Sequence, residues 1–91
     1  MSEAVAEIVT EDGKRYLEWF CPGCRCQHHA DLLPEGRWSL AGELTAPTLH
    51  PSVNHPERPR CHCWIRAGSI EFLGDCDHHL AGKTVPMELA E

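Results

Sequence analysis

Along the chain, apolar and polar positions alternate over short stretches rather than recurring at helical spacing, which predicts a β-rich molecule. Residues 4–10 alternate loosely through Val5, Ile8 and Val9 and read as a strand, although the same three residues also fit one helical face. Glu11-Asp12-Gly13-Lys14 carries the Asp-Gly signal of a tight turn, and residues 15–20 return with Tyr16, Leu17, Trp19 and Phe20. The first twenty residues therefore predict a hairpin. A second hairpin is clearer: Cys61-His62-Cys63-Trp64-Ile65-Arg66 and Ser69-Ile70-Glu71-Phe72-Leu73 flank Ala67-Gly68. A two-residue turn there sets Ile65 opposite Ile70 and Cys63 opposite Phe72, and sends His62 and Trp64 to the other face.

Between the hairpins the pattern weakens. Residues 38–40 predict a short strand, followed by the turn-like Ala41-Gly42-Glu43. Residues 44–60 hold Pro47, Pro51, Pro56 and Pro59 and read as extended, loop-like chain anchored by Leu49 and Val53. After Gly74-Asp75-Cys76, residues 78–81 predict a helical turn stopped by Gly82, residues 84–87 a last strand, and residues 88–91 a frayed tail. No internal repeat breaks the chain, so 1–91 is expected to be one domain.

Ninety-one residues bury little apolar surface, and domains of this size commonly need cross-links. Six cysteines and seven histidines supply them. The first six residues carry Glu3 and no apolar or basic start, so the cysteines are expected to be reduced and the protein cytoplasmic, in a bacterial host. No apolar run reaches the roughly 20 residues of a membrane span.

Cys21-Pro22-Gly23-Cys24 has the form of a zinc knuckle. Two intervening residues let both thiolates face one point, with Pro22 pre-setting its φ and Gly23 accepting the tight conformation that follows. A thioredoxin-like redox pair would need a following helix, which Arg25-Cys26-Gln27-His28-His29 opens poorly. A structural Zn²⁺ needs four ligands, so others must come from Cys76 and His78 or from Cys61 and His62. The candidate metal set is thus Cys21, Cys24, Cys76, His78, Cys61 and His62. Period two separates Cys61 from His62, so the two are not expected on one ion. Cys26 and Cys63 read as fillers, His28 or His29 as a further nitrogen donor or a surface group, and His50, His55 and His79 as exposed.

A formal charge of −6, from 14 acidic against 8 basic residues, argues against a nucleic-acid binder. Arg58, Arg60 and Arg66 read as a solvated loop and strand edge. The chain has no H-x-E followed by a P-C-x-x-C cysteine pair, no H-E-x-x-H, no phosphate-binding Gly loop and no recognisable Ser-His-Asp arrangement, so no catalytic residue is assigned.

Taken together, Phe20-Cys21-Pro22-Gly23-Cys24 with His28, Ala46-Pro47-Thr48-Leu49-His50-Pro51-Ser52-Val53, Cys61-His62, and Ile70-Glu71-Phe72-Leu73-Gly74-Asp75-Cys76-Asp77-His78-His79-Leu80-Ala81-Gly82-Lys83-Thr84-Val85-Pro86 resemble a family of small proteins. Its members are catalogued as a domain of unknown function and spread through phages, prophages and bacterial genomes. The resemblance implies that Cys21, Cys24, His28, Cys61, His62, Cys76 and His78 are motif positions. Some members carry the name ammonia monooxygenase, which an acidic chain of 91 residues with no membrane span does not support.

The expectation is a small β-rich, minor α+β domain of antiparallel hairpins around a zinc knuckle. Its expected function is that of a non-enzymatic Zn²⁺-binding module that engages a protein partner, such as a phage accessory or anti-host factor. The alternative is a zinc-dependent hydrolase or deaminase-like enzyme using the surplus Cys and His.

Overall fold

A computed structural model of the chain describes residues 4–55 and 60–89. Among them there is no helix, and the strands form antiparallel sheets. The first sheet joins β1 (Glu7–Glu11), β2 (Lys14–Cys21) and β3 (Cys26–Asp31) in that order. The β1–β2 turn sits on Asp12 and Gly13, both at positive φ (53° and 78°), the conformation that suits a two-residue hairpin. Leu17 and Trp19 of β2 and Ala30 of β3 turn one face of this sheet inward.

A two-stranded sheet follows, β4 (Ser39–Ala41) against β5 (Thr48–His50). The last sheet runs β6 (Val53–His55), β7 (Cys61–Arg66), β8 (Ser69–Phe72) and β9 (Thr84–Pro86). Across it Val53, Cys63 and Phe72 lie in one row and Ile65, Ile70 and Val85 in another. These rows join Leu17, Trp19, Leu32 and Leu49 in a single buried cluster. The expected register of the β7–β8 hairpin is present. Its turn puts both Ala67 (φ 47°) and Gly68 (φ 81°) in the left-handed region. That turn is held from outside, where Gly68 N–H donates to Pro47 O and Ala67 N–H donates to Thr48 Oγ1.

Several expectations change. The segment after the knuckle, to which the sequence pattern assigns no element, is a strand, β3, since Tyr16 to Cys21 offer it a full edge to pair with. Thr48–His50 and Val53–His55 are strands rather than loop, each pairing through residues that are not proline. Residues 78–81 form no helix: Ala81 N–H reaches only His78 O, Lys83 N–H reaches Leu80 O, and Gly82 follows at φ 78°. The left-handed residue of the knuckle is Arg25 (φ 59°), not Gly23. Glu3, Pro56, Arg58, Pro59 and the last two residues of the expected tail lie outside the described residues. Among the described residues no helix is long and apolar enough to cross a membrane.

Candidate functional site

Two clusters of chemically capable side chains share strand β7, one on each face. On the inner face, Cys21, Cys24, His28 and Cys61 bring their ligand atoms within 4.8 Å of one another. The knuckle itself is tied by Arg25 N–H to Cys21 O (2.7 Å) and by Cys24 N–H to Cys21 Sγ (3.4 Å). Cys21 and Cys61, from different sheets, place their sulfurs 3.8 Å apart. Two thiolates on a tetrahedral ion with Zn–S bonds of about 2.3 Å lie about 3.8 Å apart, so the spacing suits shared coordination. His28 joins by register: Cys21 faces Cys26 across the β2–β3 ladder, and His28, two residues on, returns to the same side. Its ring stacks on His55 at 4.2 Å, and its Nε2 is buried without a hydrogen-bond partner among the described residues.

A second group, Cys61, Cys76 and His78, shares Cys61 with the first. The His78 ring lies over the knuckle so closely that a Cβ at Gly23 would overlap it. Any side chain at Gly23 would have to displace the His78 ring. His78 Nδ1 accepts the Leu80 N–H at 3.2 Å, which leaves the proton of a neutral ring on Nε2.

The thiols are strongly perturbed. The shared hydrogen bond with Cys61, then burial, push Cys21 from the ordinary 9.0 up to about 12. Burial, then the neighbouring Cys21, push Cys24 up to about 12. The hydrogen bond from Cys21 pulls Cys61 down, but the Cys63 sulfur, burial and the adjacent thiols outweigh it and carry Cys61 upward. Three thiols so placed ionise together only when a cation balances them. The group can hold a metal ion on these grounds.

On the outer face of β7 stands an arrangement not anticipated from the sequence. His62 turns Nδ1 to Asp75 Oδ2 at 3.2 Å and Nε2 to Ser52 Oγ at 3.4 Å. An ionised carboxylate only accepts, so the ring proton of neutral His62 sits on Nδ1, and Nε2 presents a lone pair to the Ser52 hydroxyl. Three segments supply the three groups: Ser52 lies between β5 and β6, His62 on β7, and Asp75 in the turn after β8. Trp38 Nε1–H donates to Ser52 O at 3.3 Å, and Arg60 Nη1 lies 3.8 Å from Asp75 Oδ2. His62 and Asp75 keep side-chain exposures of 26% and 45%, so the group is open to solvent.

Five of the six expected metal residues, Cys21, Cys24, Cys61, Cys76 and His78, fall in the two inner groups. His62 does not, because its strand position faces it outward and both ring nitrogens point to Ser52 and Asp75. His28 takes a place in the four-residue group instead. Cys63 is buried in the core, and Cys26 and His79 are exposed. His29 meets Glu18 at 2.7 Å. His50 is exposed, 6.0 Å from the Trp64 ring, while His55 is half-buried rather than exposed. Arg60 and Arg66 are exposed, as expected, and Arg66 in addition covers the Trp64 ring at 4.6 Å and pairs with Glu71.

A family model described as bacterial ubiquitination-like system serine protease (BubE) matches residues 1–73. Ser52 and His62 lie inside the matched span and Asp75 just beyond it. No match is found among curated proteins or among solved structures. The family match overturns the expectation of a non-enzymatic interaction module, since the family is described as enzymatic; the alternative expectation, a hydrolase, is closer. The missing Ser-His-Asp arrangement is corrected too, because the fold assembles one from residues 52, 62 and 75. With the match extending over most of its length, the chain belongs to the BubE family of bacterial ubiquitination-like system serine proteases.

Proposed function

We propose that this protein is a serine peptidase of a ubiquitination-like system, with Ser52 as nucleophile, His62 as general base and acid, and Asp75 as the group that orients His62. The observation that carries this reading is the Ser52–His62–Asp75 relay at 3.4 Å and 3.2 Å. Catalytic hydrogen bonds are commonly this loose before substrate binds. His62 Nε2 takes the Ser52 proton as Oγ attacks a peptide carbonyl, and returns it to the leaving amine; water then releases the acyl group by the reverse use of His62. Asp75 holds the tautomer that makes Nε2 the base and favours the imidazolium that forms. The substrate in this reading is an amide bond in a protein of the same system.

The same reading gives the inner cluster a structural Zn²⁺ held by Cys21, Cys24, His28 and Cys61. Four protein ligands close a tetrahedral site and leave no position for substrate, and Cys and His are donors that zinc favours. Serine chemistry then proceeds on one face of β7 while the ion fastens the two sheets on the other.

The test is hydrolysis of a ubiquitin-like protein substrate by the parent and by Ser52→Ala. The reading expects a folded, zinc-loaded Ser52→Ala protein without turnover. Undiminished turnover would remove Ser52 from the chemistry and the reading with it.

A further inference from the structure

The Cys76 sulfur lies 3.3 Å from both the backbone N and the backbone O of His62. His62 N–H donates to it, and as a thiol it donates in turn to His62 O. A side chain thus grips the peptide groups of the residue that must be aimed most accurately. The neighbouring contacts close the same clasp. Arg60 N–H donates to Asp77 Oδ2 at 3.0 Å, and Asp77 N–H donates to Arg60 O at 3.0 Å. Leu73 N–H also reaches His62 O at 2.9 Å. The turn that bears Asp75 is therefore laid residue by residue along the start of β7, with Asp75 and Cys76 consecutive in it.

Resting on the serine-peptidase reading, we propose that Cys76 is a positioning residue for catalysis: its sulfur fixes the His62 backbone so that Nδ1 meets Asp75 and Nε2 meets Ser52. A sulfur is suited to the task because it is large enough to span the N–H and C=O of one residue, and it is buried here. Without it His62 remains on a β-strand, but its ring loses the register with Asp75 that the turn provides. A displacement of about 1 Å at such a group costs on the order of 100-fold in rate.

Cys76→Ser, in the full chain loaded with zinc, tests this. The hydroxyl is shorter and reaches only one of the two His62 groups. The expected result is a kcat lower by roughly 10- to 100-fold with KM within about twofold of the parent, zinc content and melting temperature being kept. Cys76→Ala should lose more than Cys76→Ser, and Cys26→Ser, at an exposed cysteine, should match the parent. An unchanged kcat, or loss of zinc together with kcat, overturns the proposal; the latter makes Cys76 a metal ligand instead. If Cys76→Ser does not fold, Cys76→Ala, which removes both His62 contacts without adding a polar group, is read in its place; a parental kcat in that variant overturns the proposal equally. Turnover by Ser52→Ala would instead sink the peptidase reading itself, so the two failures are told apart.

Discussion

Cys61 and His62 are neighbours on β7 and serve opposite sides of the sheet. The Cys61 sulfur meets Cys21 at 3.8 Å among the buried thiols, while the His62 ring meets Asp75 at 3.2 Å on the open face. One strand thus divides the molecule's polar chemistry into a closed inner cluster and an open outer relay. Substitutions on the two faces should have separable effects.

On the outer face, Asp75→Asn keeps the shape of the side chain but replaces an acceptor-only carboxylate with an amide that can donate to Nδ1. That favours the tautomer in which Nε2 carries the proton and cannot accept one from Ser52. We expect kcat to fall by roughly 10³- to 10⁴-fold, with the melting temperature and metal content of the parent. Steady-state kinetics beside a thermal melt checks both halves. A loss of stability equal to the loss of rate would mean that Asp75 holds the fold rather than the histidine.

Cys21→Ser and Cys61→Ser should each lose the metal and destabilise the fold, since in so small a chain metal-binding free energy adds directly to folding free energy. Elemental analysis of the parent should find about one zinc per chain, which is what one closed tetrahedral site holds. Two per chain would give Cys76 and His78 an ion of their own.

At Gly23 an added Cβ would run into the His78 ring. Gly23→Ala should therefore cost about 1–3 kcal/mol and weaken metal retention, as the knuckle and the 74–82 turn are forced apart. Denaturant unfolding with and without competing chelator measures both. Parental stability would show that His78 swings aside freely.

The thiol shifts predict opposite pH responses for the two metal states. Without metal, Cys21 and Cys24 stay protonated in the folded chain up to about 12, whereas their unfolded counterparts ionise near 9.0. The folded state then binds more protons between these values, so stability is full below pH 9.0 and falls as pH rises toward 12. With metal bound the ligands are thiolates, protons compete with the ion, and stability falls as pH is lowered. Melting temperatures across pH, with and without chelator, should slope in opposite directions. Parallel slopes would mean that the thiols are not ligands.

The β7–β8 hairpin was legible because period-two alternation and an Ala-Gly turn fix its register locally, down to Ile65 against Ile70. The knuckle was legible for a similar reason, its two cysteines being three residues apart. Strand β3 was not: Gln27, His28, His29 and Asp31 carry no strand propensity, and β2 imposes the strand by offering an edge. The sequence therefore offers His28 only as one of two possible nitrogen donors, since the β2–β3 register is what puts it beside Cys21. The Ser52 relay lay further out of reach. Its members come from three segments, and in isolation Ser52 is a serine in a proline-rich stretch and Asp75 a turn residue. Nothing in local spacing links them.

The most direct test of a serine nucleophile activated by His62 is covalent labelling with a fluorophosphonate, followed by mass-spectrometric location of the adduct. The account predicts a single adduct on Ser52, absent from Ser52→Ala and from His62→Ala, with zinc retained in both variants. An adduct elsewhere, labelling that survives His62→Ala, or a His62→Ala protein that has lost its zinc would contradict it.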